Sequence, residues 1–200
     1  MKHIVKINEP QSFTNWKSSG TKIYHDLRNP LKSDLKNALL LDQGYICCYC
    51  ESKISSDNSH IEHLDPQCNN NGNDLDFNNL LCSCQKQLAV GEPRHCGNSK
   101  ENYIIPINPL IPHCENKFQY TEDGQIKCTD LDSNVTIQTL NLDIDKLNDL
   151  RNKAIEPFII DPITFEEISK EEAKTFADSY LTINNGQYNE FYTTIKYLFG

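Results

Sequence analysis

Residues 45–100 read YICCYCESKISSDNSHIEHLDPQCNNNGNDLDFNNLLCSCQKQLAVGEPRHCGNSK, and this stretch decides the fold of the 200-residue chain. It holds most of the nine cysteines, interleaved with histidine, asparagine and glycine. An odd cysteine count in a chain of this length, with no export signal at its start, argues against a disulfide framework. We therefore interpret these cysteines as metal ligands.

The first cysteines form a Cys-x2-Cys knuckle made of Cys47 and Cys50. Two thiolates at this spacing can meet one tetrahedral zinc ion at ~2.3 Å. A second pair is needed, and its candidates are Cys82, Cys84 and Cys96. A single cysteine is more often an ordinary buried thiol, but a knuckle followed by further cysteines favours zinc. Three cysteines lie outside the expected spacing: Cys68, Cys114 and Cys128.

Downstream of the knuckle, His60-Ile61-Glu62-His63 places a carboxylate between two imidazoles. Side chains of this kind can bind a hard divalent ion and supply a general base. His-x-Glu also opens the zinc deaminase signature, which requires a later Pro-Cys-x-x-Cys. Here the Cys-x2-Cys comes first and lacks the proline, so the deaminase interpretation is rejected.

Helix and strand signals surround these motifs. The pair Asn29-Pro30 predicts the start of a helix that Gly44 ends. A strand is expected around Ser59–Leu64, and residues 76–88 are expected to begin a helix or a short turn.

The second half of the chain predicts a hairpin followed by helices. Residues 117–128 alternate around Asp123-Gly124, a two-residue turn signal. From Asn141 onward we expect two or three helices, one of them beginning at a capping box from Ser169 to Glu172. The first of these helices carries an apolar stripe: Leu142, Leu147, Leu150 and Ala154.

The formal net charge is −9, although a stand-alone DNA-binding protein usually has a basic surface. An acidic nucleic-acid enzyme needs either a local basic surface or a partner that delivers the substrate. No apolar run is long enough to span a membrane, so no membrane partner is expected. Without a signal peptide, the expected location is the cytoplasm.

The order of the motifs resembles that of the HNH nucleases. Cys-x-Tyr-Cys is followed by Ile-Glu-His-Leu-x-Pro, then by Asp-Phe-x-Asn-Leu-Leu, and then by His-Cys-Gly-Asn-x-Lys. Within that family, most of the chain looks like the nuclease subunit of Septu and retron-associated anti-phage defence systems. The resemblance implies an α+β fold in which a ββα-metal HNH core is stapled by a four-cysteine zinc site and flanked by helices.

The resemblance also assigns roles around the catalytic ion. His63 would be the general base that deprotonates the attacking water, which suits a neutral imidazole. Glu62 stands where many members of the family have Asp, and would bind the catalytic ion, Mg²⁺ or another divalent cation. Asn79 matches the central asparagine, which holds the loop between the strands.

At the third motif position the chain departs from the simplest pattern, because Gly97 follows the last cysteine where a histidine is common. Asn98 is the next polar residue and is expected to bind the ion, with His95 as a competing candidate. We also expect Arg94, His95 and Lys100 to lie near the scissile phosphate.

The family pattern resolves the zinc ligands and leaves two residues aside. His60 either assists at the catalytic metal or bonds the backbone near it, and Cys82 is a spare. The structural zinc would be held by Cys47, Cys50, Cys84 and Cys96.

The resulting hypothesis is a metal-dependent endonuclease that cleaves DNA as the effector subunit of a defence complex. Residues 1–44 would form an N-terminal segment and helix, 45–110 the nuclease core, and 111–200 a region that docks a partner through its apolar stripe. The resemblance implies an ABC-type ATPase subunit as that partner, with a reverse transcriptase and its non-coding RNA in retron versions. The alternatives are a non-catalytic zinc-binding adaptor and an RNase of the same fold.

Overall fold

Short helices and two small sheets make up the computed structural model, which describes residues 1–69 and 71–200. The α-helices are α1 (Gln11–Ser18), α2 (Leu31–Asp42), α3 (Gly97–Lys100), α4 (Leu131–Leu140), α5 (Asp145–Ile155), α6 (Lys170–Tyr180) and α7 (Tyr192–Phe199). The strands are β1 (His60–His63), β2 (Leu80–Ser83), β3 (Phe118–Tyr120) and β4 (Ile126–Cys128). The fold therefore mixes helices and strands, as expected.

Helix α2 forms where the sequence predicts it. It buries Leu35, Leu39 and Leu40 on one side, which is the spacing that aligns side chains along one helix face. Gly44 follows the C-terminal cap with φ +59°, in the left-handed region that glycine adopts without steric cost.

Strands β1 and β2 pair antiparallel, with His60 opposite Ser83 and His63 opposite Leu80. The predicted strand at Ser59–Leu64 is thus confirmed. The expectation at residues 76–88 is only half right, because a single helical turn at Phe77–Asn79 leads directly into β2. All four residues of β2 are buried, and a strand covered on both faces has no alternating pattern to read from the sequence.

The hairpin of β3 and β4 forms in the predicted segment, but its turn is longer than two residues. The Thr121 amide donates to the Gln125 carbonyl at 3.1 Å, which leaves a three-residue loop between them. Gly124 ends this loop with φ +83°, a geometry typical of a type I turn followed by a glycine bulge.

The C-terminal part contains three helices, α5 to α7, as predicted. The capping box of α6 is confirmed, since the Glu172 amide donates to Ser169 Oγ and the Ser169 amide donates back to Glu172 Oε2. Helix α4 was not predicted. Asp130 and Ser133 cap its N-terminus in the same reciprocal way, so a local signal for this helix existed.

The larger of the two apolar clusters contains side chains from Met1 to Leu147, so residues from all three predicted segments share one core. The smaller cluster joins Ile155, Phe158, Ala177 and Ile195 beneath the C-terminal helices. Among the described residues, no helix is both long and apolar enough to cross a bilayer.

Candidate functional site

Four buried cysteines converge from three parts of the chain. Cys47 and Cys50 lie on the turn after α2, Cys84 directly follows β2, and Cys96 directly precedes α3. Their sulfur atoms all lie within 4.8 Å of one another. Among residues 1–69 and 71–200, they are the only group of three or more Cys, His, Asp or Glu side chains close enough together to hold an ion.

This donor set fits zinc. Four sulfurs at ~2.3 Å from a tetrahedral ion would be about 3.8 Å apart, and Cys50 Sγ lies 3.8 Å from Cys84 Sγ. Cys47 Sγ also accepts the Cys84 amide at 3.4 Å, a bond that favours a thiolate. Although burial raises the pKa of Cys47, hydrogen bonds from the neighbouring thiols outweigh it and hold that pKa well below its usual range.

Two further residues near the cluster have distinct positions. Cys82 is buried, but its Sγ points towards the Lys36 carbonyl at 3.8 Å and is not part of the group. The ring of His95 is buried, with Nδ1 at 3.2 Å from Cys96 Sγ and 3.7 Å from Cys84 Sγ. His95 therefore contacts the sulfur cluster, whereas the sequence placed it near the scissile phosphate.

Glu62 is the buried acid of β1. Its Oε1 lies 3.0 Å from Lys100 Nζ and accepts the Tyr49 hydroxyl at 3.2 Å, while its Oε2 lies 3.5 Å from His60 Nε2. Burial alone would raise the pKa of Glu62. The partners His60 and Lys100 outweigh burial and lower it, so the carboxylate is ionised at neutral pH.

Gly97 lies next to Glu62 and His60 in the site. A Cβ at this position would lie 2.5 Å from Glu62 Oε2 and 2.7 Å from His60 Nε2, so no other residue fits without a shift. The side chains of Glu62 and His60 therefore occupy the space next to Gly97. Because only the tertiary structure places these atoms together, the sequence left the role of His60 open.

His63 points to the opposite side of the strand from Glu62, as alternation along a β-strand requires. Its Nε2 lies 3.0 Å from the Asp74 carbonyl and 3.1 Å from the Gln67 amide nitrogen, and Tyr24 packs edge-on against its ring. Burial lowers the pKa of His63, against smaller effects of the Asp74 carbonyl and the Glu62 charge that raise it.

Asn79 is buried behind the loop that joins β1 to β2. Its Oδ1 accepts the Asp65 amide at 2.7 Å, and its Nδ2 donates to the carbonyls of Asp65 at 3.0 Å and Asn73 at 3.1 Å. These bonds cross the loop and tie its two sides together beside His63.

The remaining predicted residues surround α3. Asn98 Nδ2 donates to the Gln85 carbonyl at 2.7 Å, and no described residue donates to its Oδ1. Arg94 is exposed and paired with Glu101 at 3.0 Å. Lys100 is only 1% exposed and donates to the His63 carbonyl at 2.9 Å, so its ammonium holds two parts of the site together.

Sequence reasoning missed two tyrosines of the site. Tyr49 lies inside the cysteine knuckle and bonds Glu62, and Tyr24 comes from the segment before α2 to contact His63. Neither lies in a motif of its own, although Tyr49 is part of the Cys-x-Tyr-Cys signature.

Comparison with known proteins gives an informative relative, while no family model matches. Over 105 residues the chain is 30% identical to a protein of Vibrio cholerae serotype O1 biovar El Tor named "Retron Vc95 putative HNH endonuclease". The match covers 51% of this chain and 50% of the relative, so the chain spans about half the length of the curated protein it matches. This similarity confirms the resemblance to HNH endonucleases of the retron defence type that the order of the motifs indicated.

Proposed function

We propose that the chain is a metal-dependent HNH endonuclease that hydrolyses phosphodiester bonds in DNA. The observation that carries the proposal is the placement of two adjacent residues on β1. The buried Glu62 carboxylate lies between Lys100 and His60, and the His63 ring lies against Tyr24 and the Asp74 carbonyl. The lowered pKa values of Glu62 and His63 favour the anion and the neutral ring that an ion ligand and a general base require. The name of the Vibrio cholerae relative supports the reaction class.

His63 is suited to activate water. Its Nε2 is engaged by the Asp74 carbonyl and the Gln67 amide nitrogen, so Nδ1 is the ring nitrogen without a hydrogen-bond partner among the described residues. We propose that Nδ1 is the nitrogen that removes a proton from water. Tyr24 and the loop tied by Asn79 hold the ring in this orientation.

The ion would be held at Glu62 Oε2. Lys100 and Tyr49 occupy Oε1, which leaves Oε2 facing His60 Nε2 next to Gly97. We propose His60 as a ligand beside Glu62, with Asn98 Oδ1 as a further one. Mg²⁺ suits such a site because it uses few protein carboxylates and keeps several waters. When bound, it supplies a Lewis acid that offsets the charge of the phosphate and of the leaving oxygen.

The four cysteines would hold a structural zinc ion, since four protein ligands leave no open position for a substrate. The ion would connect the turn after α2, the end of β2 and the start of α3. Strands β1 and β2 followed by α3 would then form the ββα-metal core, with Glu62 and Gly97 facing each other across it.

The retron name of the relative supports a place in an anti-phage defence complex. We propose an ABC-type ATPase subunit as the partner, with a reverse transcriptase and its non-coding RNA in a retron setting. The stripe residues Leu142 and Leu147 are fully buried in the chain's own core, so docking would use another surface. A cavity of about 860 Å³ between the loop after α5 and α6, with exposed Ile163 and Phe165 nearby, is the surface that we propose.

The proposal is tested by cleavage of supercoiled DNA with and without Mg²⁺. His63→Ala should lose about 10²- to 10⁴-fold in rate, the typical contribution of a general base. His113→Ala changes an exposed histidine far from the motifs and should cleave like the original chain. Equal cleavage by His63→Ala overturns the proposal.

The two alternatives predict other results in the same assay. An RNase of this fold would cleave RNA and leave DNA intact. An adaptor would cleave neither, even when it is assembled with its partner subunits.

A further inference from the structure

Four cations on one side of β1 have no role in the site described above. Arg28, Lys32, Lys36 and Lys86, here called the basic row, form no ion pair with any described residue. Arg28, Lys32 and Lys86 are exposed, and Lys36 is half-buried. In a chain with net charge −9, unpaired cations in one place are unusual and require an explanation.

Two members of the row lie on one face of α2. Lys32 and Lys36 are four residues apart within the helix, so their side chains are neighbours on its surface. Arg28 lies before the start of the helix, and its Nη1 donates to the carbonyl of His25 and, at 3.2 Å, to that of Leu27.

The row lies alongside the proposed catalytic strand. The Lys32 ammonium lies 5.1 Å from the centre of the Tyr24 ring, which itself packs against His63 at 4.5 Å. One turn further along α2, Lys36 Nζ donates to the Ser56 carbonyl at 2.6 Å and also to the carbonyl of Ser59, the residue before His60. The helix thus places one cation at each end of β1.

Lys86, which follows β2, is the fourth member of the row. Its amide donates to the Asn58 carbonyl at 3.2 Å, on the same turn that Lys36 contacts. Burial lowers the pKa of Lys36, and repulsion from Lys86 and Lys32 lowers it further, against the attraction of Asp57. The cations are thus close enough to repel one another, and Asp57 offsets part of this repulsion.

The contrast with the other cations near the motifs is informative. Arg94 is paired with Glu101 at the surface, and Lys100 is buried against Glu62. Three members of the basic row are exposed, and none of the four forms an ion pair with a described residue. At physiological ionic strength charges are screened beyond about 8 Å, so acidic groups farther away than that do not cancel the local field of the row, and Asp57 is the anion near Lys36.

We propose that the basic row binds the phosphate backbone of the DNA substrate and lays it along β1, past His60 and His63. The inference rests on the proposed endonuclease function and identifies the substrate-binding surface of that site. Such contacts position the duplex without reading its sequence, because every nucleotide carries the same phosphate. They also explain how an acidic chain can bind DNA.

The test is binding of a fluorescent DNA duplex to the full chain in buffer without added divalent ion, measured by anisotropy over a range of salt concentrations. The variant R28Q/K32Q/K86Q removes three exposed cations and leaves Lys36, which braces the turn before β1. Each lost phosphate contact lowers the slope of log affinity against log salt by about 0.9, so we expect a decrease of roughly 2.7. The matched control K153Q/K170Q/K174Q removes three exposed lysines of the C-terminal helices and should leave the slope unchanged.

An unchanged slope in R28Q/K32Q/K86Q, or an equal decrease in the control, overturns the inference. So does the absence of DNA binding by the original chain at low salt. A fall in slope without a change in the thermal midpoint supports it. Because binding is measured without cleavage, a failure here is separate from a failure of the His63→Ala test, which concerns catalysis alone.

Discussion

Glu62 and His63 are neighbours in the sequence, yet their environments act on their charges in different ways. Glu62 is buried among His60, Lys100 and Tyr49, and the two cationic partners lower its pKa despite burial. His63 points to the other side of β1, where burial against Tyr24 and the loop lowers its pKa. At neutral pH the outcome is an anion next to a neutral base.

The lowered pKa of His63 predicts how activity depends on pH. A base works only when it is unprotonated, and a ring with a pKa below the usual 6.5 loses its proton at a lower pH. We therefore expect the midpoint of the fall in kcat/KM at low pH to lie below 6.5. A steady-state pH profile measures this, and NMR titration of the His63 ring assigns the group. A fall that is already complete above pH 6.5 would contradict the assignment.

The substitution Gly97→Ala tests the proposed ion site, because it adds a single methyl group there. In Gly97→Ala the new methyl group would meet Glu62 Oε2 and His60 Nε2, so both side chains must move. Disturbing groups that orient metal ligands typically weakens metal affinity by about 10- to 100-fold, and we expect a loss of this size for Mn²⁺ measured by calorimetry. Gly91→Ala is the control, because its Cβ would meet nothing within 4 Å although its φ of +80° adds backbone strain. Similar Mn²⁺ affinities for the two variants would argue against an ion at Glu62.

At the scale of elements, the hairpin and α3 are too small to hold a site by themselves. Strands β1 and β2 have four residues each, and α3 is a single turn. Their positions depend on the cysteine group, on Lys100 and on the Cys96 amide, which donates to the Leu140 carbonyl of α4 at 2.7 Å. Residues far apart in the sequence thus fix the geometry of the corner where Glu62 and Gly97 meet.

Loss of one of the four clustered cysteines should therefore disturb β1, β2 and α3 together. We expect Cys47→Ser to lose bound zinc and a large part of its stability, since zinc binding contributes on the order of 10 kcal/mol in small zinc-dependent domains. Zinc content by mass spectrometry and the thermal midpoint measure the two effects. Cys68→Ser changes an exposed cysteine outside the group and should retain both. Full stability of Cys47→Ser after treatment with a chelator would rule out a structural metal.

At the scale of the whole molecule, two of the most exposed apolar side chains lie beyond α5. Ile163 is 84% exposed and Phe165 is 80% exposed, and they lie in the connection between α5 and α6 that borders the large cavity. Phe165 also has a positive φ of 59°, which is unusual for an aromatic residue. Exposed apolar groups beside a cavity are typical of surfaces that bind another protein.

The proposed docking surface leads to a prediction about assembly. Charged groups at an apolar contact are costly to bury, so I163D/F165D should abolish co-purification with the proposed ATPase subunit. DNA binding through the basic row should be unchanged in this variant. Val90→Asp alters an exposed valine on a different loop and serves as the control. Retained co-purification of I163D/F165D would place the contact elsewhere on the chain.

Much of this molecule follows from local sequence. The cysteine knuckle, the start of α2 at Asn29-Pro30, strand β1 and the capping box of α6 all depend on residues within a few positions of one another. Interactions of that range have the same chemistry in any fold, so pattern and spacing are sufficient to predict them. The spacing of Lys32 and Lys36 on α2 is a local signal of the same kind, and motif reading did not use it.

Only the tertiary structure decided which distant groups meet. It buried Lys100 against Glu62, turned His95 towards the sulfur atoms and filled the space at Gly97 with the ring of His60. It also buried Leu142 and Leu147 in the core, which moves the proposed docking surface to the other end of α5. Burial and pairing depend on how separate helices and strands pack. The distance between two such elements in space cannot be read from the number of residues between them in the sequence. The sequence determined which residues are candidates for the chemistry, and packing determined which side of each one is accessible.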